Sequence, residues 1–322
     1  MSLLKPDNLD IEEAVIQFCW RVWVELGVSG WGRAHQGWAI DVEPLIIFTA
    51  GIGERDPRLR DAATDWCVRN WRLVSRVRLR NILRDRTDET LESWGSFAAT
   101  VNARAGIDWP CAGSARDYQV TGKAVLRPLI EPSMTYLRIR SIFGLGARSE
   151  ILRYLLYNVD FDRISAQMLA DGTNYGKRNV SEAAESLAQA GILRQRVYSN
   201  RHVYSLVDEP TLKRFVGPQP SCAPEWNALL LVVSTLFEIA DRFKESSTDV
   251  LLVETRRALR RIELALDANG LPGPEKKSGI EAVTEWQRWA GQLMRALAAG
   301  QWLGEEVNSR IGQCLPEVRT RP

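Results

Sequence analysis

The sequence predicts a mainly α-helical protein with one small β-hairpin, on three observations. Apolar residues recur at three- and four-residue spacing through most of the 322 residues. Gly- and Pro-bearing runs such as GPQPSCAP and LPGPEKKSG fall between those stretches. From Gln195 to Tyr204 the pattern alternates instead, as in paired strands.

In chain order, residues 9–27 form the first helix, with Ile11, Val15, Phe18, Cys19, Val22 and Leu26 along one stripe. Gly27 to Gly37 is a Gly- and Trp-rich loop, and Glu43 to Gly53 a buried helix. Asp56-Pro57 is an N-cap followed by Pro at the first helical position, where a missing N–H costs nothing. That helix runs to about Asn70, and others cover 75–84 and 88–105, completing an all-α N-terminal domain over 1–105. Residues 106–135 hold Pro110, Pro128 and Pro132 and little periodicity, as expected of an extended connector. Tyr136 to Phe143 is a short helix that docks on the domain after it, and that domain closes at 216. Helices near 224–244, 248–268 and 278–299 then build a C-terminal segment (217–300), followed by a polar tail (301–322).

Composition bounds the class. Hydrophobic residues at 45% and charged residues at 25% are the proportions of a soluble globular protein. A net charge of +2 gives no global pull on nucleic acid, so any attraction must come from local patches. Leu229 to Ile239, the longest apolar run, is too short to span a bilayer, and MSLLKPDNLD lacks the basic start and apolar core of a signal peptide. Cys19, Cys67, Cys111, Cys222 and Cys314 are odd in number and scattered, so reduced thiols and a cytoplasmic location are expected. Of twelve tryptophans, Trp20, Trp23, Trp31, Trp38, Trp66, Trp71, Trp94 and Trp109 fall in the first third. Aromatics wedged between helices are the first explanation; a stacking platform for bases or a ligand is the second.

The segment from Arg148 to Leu206 carries the functional signal. Ile151, Leu152, Leu155 and Leu156 make one stripe of a first helix. Asp160 or Asp162 can cap a second, with Ile164, Met168 and Leu169 as its buried face and Gly172 at its end. Tyr175-Gly176 leads into a third, with Val180, Ala183, Ala184, Leu187 and Ala190 facing inward and Gly191 closing it. Ile192-Leu193 opens a strand, Val197, Val203 and Tyr204 pack, and Ser199-Asn200 is turn chemistry at the hairpin tip.

The third-helix pattern NVSEAAESLAQAGIL and the strand, turn and strand after it resemble the winged helix-turn-helix domain of bacterial regulators, broadly of the MarR and ArsR kind. The resemblance covers about 60 of the 322 residues. It implies a recognition helix whose first turns hold Lys177, Arg178, Asn179 and Ser181, placed to reach base edges or phosphates. It implies a wing with Arg194, Arg196, Arg201 and His202 on phosphate or in the minor groove. Glu182 and Glu185 lie on the same helix and would repel phosphate unless they point aside. Between 148 and 214 ten basic residues face eight acidic ones, so the domain is nearly balanced.

A second basic element precedes it. Between Arg55 and Arg86 lie ten arginines, four aspartates and no lysine. Arginine suits bidentate contact to carboxylate or phosphate. An intramolecular docking surface for acidic helices is the first reading, and an auxiliary phosphate-contacting face of Arg76, Arg78, Arg80 and Arg84 the second. A second helix-turn-helix has a loose outline here but lacks a turn glycine.

No catalytic pattern emerges. His35 and His202 are the only histidines and neither has a ligand at metal spacing. There is no Cys-x-x-Cys, no Gly-x-Ser-x-Gly and no phosphate loop. Gly113-Ser114 is too far from Asp160 and Asp162 for a nucleotidyltransferase site, and Gly144-x-Gly146 follows no strand. The expectation is therefore a cytoplasmic, non-enzymatic transcriptional regulator that binds double-stranded DNA as a homodimer, without metal or cofactor. The alternative is an interaction protein, such as an antitoxin-like partner that neutralises an enzyme, with the winged helix as its protein-binding or autoregulatory module.

Overall fold

The structure is a computed structural model and describes residues 11–30, 37–84, 86, 88–158 and 163–304. Trp31, His35, Asp160, Asp162, Cys314 and residues 305–322 of the tail lie outside that set. The described residues form thirteen helices and three strands, a mainly α fold. The helices are α1 (Ile11–Glu25), α2 (Val42–Ile52), α3 (Pro57–Asn70), α4 (Arg76–Leu83), α5 (Asp88–Ala105), α6 (Thr135–Phe143), α7 (Ala147–Tyr157), α8 (Ala166–Thr173), α9 (Lys177–Gln189), α10 (Glu209–Val216), α11 (Trp226–Arg242), α12 (Thr248–Ala268) and α13 (Gly279–Ala299). The strands are β1 (Ile164–Ser165), β2 (Leu193–Tyr198) and β3 (Arg201–Leu206), in one antiparallel sheet of order β1-β3-β2.

Helix limits follow local chemistry. Asp56 accepts the Arg58 and Leu59 N–H groups, with Pro57 in the first turn of α3. Ser75 caps α4 and Ser247 caps α12 in the same manner. α2 is buried nearly all round, so it sits at the centre, packed by α3, α4, α5 and α11.

One hydrophobic core joins the first hundred residues to the C-terminal helices. It runs from Val15, Phe18 and Val22 of α1 through Leu45 and Ile46 of α2 to Leu229 and Val233 of α11 and Leu293 and Leu297 of α13. Backbone bonds close the two chain segments on each other: Ala39 donates to Cys222 and Ser221 to Gly37, both at 2.8 Å. Tryptophans fill this core. Trp23 meets Trp66 edge-on at 5.6 Å, and their indole N–H groups reach Thr49 Oγ1 and the Leu26 carbonyl. Trp226 donates to the Ala39 carbonyl, and Trp94 stacks on Trp109. Cys19, Cys67 and Cys222 are buried thiols, whereas Cys111 is exposed.

The connector has little secondary structure between Gly106 and Glu131, so side chains must satisfy its backbone. Asp65 accepts from the N–H groups of Thr121, Gly122 and Ala124. Asn102 brackets Trp109 by bonding both its N–H and its carbonyl.

Residues 135–216 form a second, smaller core around Ile151, Leu155, Leu169, Val180, Leu187 and Tyr204. Between α6 and α10 the order is helix (α7), strand (β1), helix (α8), helix (α9) and a two-stranded hairpin (β2, β3), the order expected of a winged helix-turn-helix. Five details differ from the sequence expectations. Ile164 belongs to β1, paired with Tyr204, and Ser165 is the cap of α8, accepting from the Met168 N–H. Gly172 lies inside α8, which ends instead at Asn174 with φ +57°. A Cβ at Gly172 would come within 2.0 Å of the Tyr154 ring, so close approach of α7 explains the glycine. Val197 is 70% exposed and Ala190 is exposed, because the wing extends beyond the core and α9 has ended by then. Ser199 and Asn200 both take positive φ, 44° and 63°, as a two-residue hairpin turn of matching twist requires.

Gly172→Ala is expected to destabilise the protein by about 1–3 kcal/mol, the cost of overpacking Tyr154, despite alanine's better helix propensity. Urea unfolding of the two proteins checks this; equal midpoints and slopes would refute it.

Candidate nucleic-acid interface

The placement of α9 begins with six buried charges. Arg78 of α4 is 0% exposed and bonds both Asp41 and Glu43. Arg140 of α6 reaches Glu43 through both terminal nitrogens at 2.8 Å and Glu150 of α7 through Nε at 2.7 Å. Arg153 closes the set on Glu150 at 2.8 Å and lays its guanidinium over the Tyr136 ring, 4.6 Å from its centroid. Three arginines thus meet three carboxylates, with no net charge. Burial alone would raise the Asp41 and Glu150 carboxyls. The arginines overcome it, holding Asp41 well below the usual carboxylate range and Glu150 at about 2. At Glu43 burial outweighs Arg140 and Arg78, and its carboxyl is pushed up.

The same residues grip the turn before α9. Arg78 Nε donates to the Thr173 carbonyl at 3.0 Å, Asn81 Nδ2 to the Asn174 carbonyl at 2.8 Å, and Ser75 Oγ meets the Tyr175 hydroxyl at 2.8 Å. The helix-turn-helix turn is therefore bonded to the large helical core. Arg78 does not belong to an auxiliary basic surface. Its spacing from Ser75 and Asn81 turns it toward the acids, and a lone buried cation would be untenable without them. Arg76, Arg80 and Arg84 are exposed, with Arg76 paired to Asp108.

On α9, Lys177, Arg178 and Asn179 are exposed at the first turn and Ser181 is half-buried. Arg178, 90% exposed, pairs with Glu182 at 2.9 Å, which occupies part of its charge. Glu185 is exposed one turn further on.

The wing register sorts the remaining residues by face. Arg194 pairs with Ser205, Arg196 with Val203 and Tyr198 with Arg201, and partners across antiparallel strands share a face. Arg194, Arg196, Arg201 and Tyr198 therefore lie on one face of the sheet. Leu193, Gln195, Val197, His202 and Tyr204 lie on the other, where Leu193 and Tyr204 enter the core. His202 is thus separated from the arginines and bonds Gln195 at 2.7 Å. Arg194, Arg196 and Arg201 are exposed and make no ion pair among the described residues. The sequence reasoning omitted Arg163, whose guanidinium sits 4.0 Å from the Tyr198 ring centroid and extends this basic face. Only the register with β1 places it there.

A cleft of about 1450 Å³ lies elsewhere, between α1, α3 and the connector. Its aspartates are engaged: Asp56 caps α3 and takes the Trp20 N–H, Asp61 pairs with Arg116, and Asp65 holds the connector. Among the described residues no cluster of His, Cys, Asp and Glu is arranged to hold a metal, and no helix is long and apolar enough to cross a membrane. No protein-family model, curated protein or solved structure matches the chain.

Arg78→Ala leaves Asp41 and Glu43 short of a counter-charge and is expected to cost about 3–5 kcal/mol of stability, measurable as a fall in urea midpoint; a loss below about 1 kcal/mol would contradict the assigned role. The carboxylates also set an acid limb. Glu150 titrates at 4.5 when unperturbed and at about 2 in the fold, so its contribution is present above pH 4.5 and lost as pH falls toward 2. Asp41 acts in the same direction and Glu43, with its raised carboxyl, in the opposite one. Unfolding measured from pH 7 to pH 2 should show Glu150→Gln less stable at neutral pH, with its deficit shrinking as pH drops.

Proposed function

We propose that this protein is a DNA-binding transcriptional regulator, acting as a dimer, whose winged helix-turn-helix contacts the duplex. The observation that carries the reading is the sorting of wing charge: Arg163, Arg194, Arg196 and Arg201 share an exposed sheet face without an acidic residue, around Tyr198. Such a face suits the phosphate backbone, which supplies affinity but no sequence information. Lys177 and Asn179, beside Arg178 at the start of α9, supply the groups that read base edges. Glu182 partly offsets the charge of Arg178, which stays 90% exposed, so base readout rests mainly on Lys177 and Asn179. Dimerisation supplies two half-sites, which a single domain of this size needs for useful affinity.

Anisotropy titration of duplex DNA over a salt series separates the two roles. Arg194→Ala/Arg196→Ala/Arg201→Ala should flatten the dependence of log K on log salt by about 3, close to 0.9 per lost phosphate contact, and weaken all sequences alike. Lys177→Ala/Arg178→Ala should lower discrimination between a selected duplex and random DNA. Unchanged binding in both variants would sink the assignment.

A further inference from the structure

The turn that leads into α9 is held from outside the winged domain, and we infer that Asn81 of α4 and the Tyr175 hydroxyl are positioning residues for base recognition. They fix the first turn of α9 against the helical core, so that sequence discrimination depends on them and backbone binding does not. The inference rests on the DNA-binding reading and gives a role in it to two side chains without charge.

The circumference of α4 is divided into three arcs. Arg78 and Asn81, about 60° apart at 100° per residue, bond the Thr173 and Asn174 carbonyls, and the cap residue Ser75 bonds the Tyr175 hydroxyl. Ile82, Leu79 and Leu83 follow at about 40°, 100° and 140° on the other side of Arg78 and are buried in the large core. Arg76, Arg80 and Arg84 come next, at about 160°, 200° and 240°, and are exposed. One arc of the helix thus carries the turn while the adjacent arc is seated in the core. The core therefore sets where the turn sits.

The start of α9 has little else of its own to fix it. Gly176, its cap residue, makes no side-chain cap bond, and Asn174 before it has φ +57°. Asn81 Nδ2 on the Asn174 carbonyl and Ser75 Oγ on the Tyr175 hydroxyl, both at 2.8 Å, supply the restraint from α4. Lys177 follows Tyr175 by two residues. Without those two bonds α9 stays packed through Val180, Ala184 and Leu187, and only its first turn is free to shift. Base-edge contact needs placement within about 0.5 Å and 10–20°, whereas an arginine on a phosphate acts chiefly through its charge. Arg78 is unsuited to the test because it also neutralises Asp41 and Glu43.

The test uses the full chain, a duplex that it selects from a random pool and a random-sequence duplex of equal length, titrated by anisotropy over a KCl series. Asn81→Ala/Tyr175→Phe should lower the ratio of the two affinities about tenfold, the worth of one bidentate base contact. The salt slope on the random duplex should keep its wild-type value. A purely structural loss would reduce the active fraction for both duplexes equally and leave the ratio intact. Val233→Ala, in the core on α11, should accordingly lower the thermal midpoint without changing the ratio. Hydrogen–deuterium exchange without DNA should be faster in the double variant at residues 175–180 and unchanged in α11. A wild-type ratio in the double variant, or unchanged exchange at 175–180, would overturn the positioning role and leave the DNA reading standing. An equal fall of the ratio in Val233→Ala would also overturn it, since general softening would then explain the effect. A wild-type chain that prefers no duplex over another would overturn base recognition together with the DNA reading, even where the exchange difference persists.

Discussion

The segment from α7 to α9 takes its position from the buried meeting of Arg78, Arg140 and Arg153 with Asp41, Glu43 and Glu150. Charges removed from water carry a large desolvation cost, which mutual attraction offsets only when geometry and hydrogen bonding are nearly complete. Here each arginine engages at least two partners, and Arg78 and Arg140 also bond the Thr173 and Leu73 carbonyls. An apolar cluster of equal volume would hold these helices together as strongly. It would not define how they are oriented, because hydrophobic contact is non-directional. The arginine forks are directional, and they set the attitude of the winged domain on the helical core.

That orientation gives meaning to an otherwise modest charge distribution. The winged domain is nearly neutral, and its third helix carries Glu182 and Glu185. Segregation compensates for the weak net charge: arginines gather on one sheet face while His202 and Gln195 take the other. A protein with a net charge of +2 can then present a locally strong field without a global one. Long-range attraction to any polyanion is consequently limited.

The flanking segments contribute by closing on each other. α1 packs on both α11 and α13, and the strand-like contact of Trp38 with Cys222 links the entry and exit of the winged domain. The winged domain is thus inserted between two halves of one helical core. Its two chain ends leave from the same region, which further restricts rocking about the ionic cluster.

Much of this was legible in the sequence. Helical spacing located α1 to α5 and α11 to α13 to within a few residues, and the cap at Asp56 marks a helix start by local hydrogen bonding alone. The hairpin with its Ser199-Asn200 turn was legible for the same reason, since turn geometry depends on adjacent residues. What local pattern could not convey was long-range pairing. Gly172 looked like a helix end, yet it answers to Tyr154 on another helix. Arg163 joins the wing only through the register of β1 with β3. Arg78 is chemically identical to Arg76, Arg80 and Arg84 along the chain. The sequence by itself determined which segments are helices, their limits to within a few residues and that one hairpin lies among them, because those depend on interactions within a few residues. Only the tertiary structure decided which arginine is buried, which face each wing residue occupies and that the first and last helices share one core, because those depend on partners a hundred or more residues away.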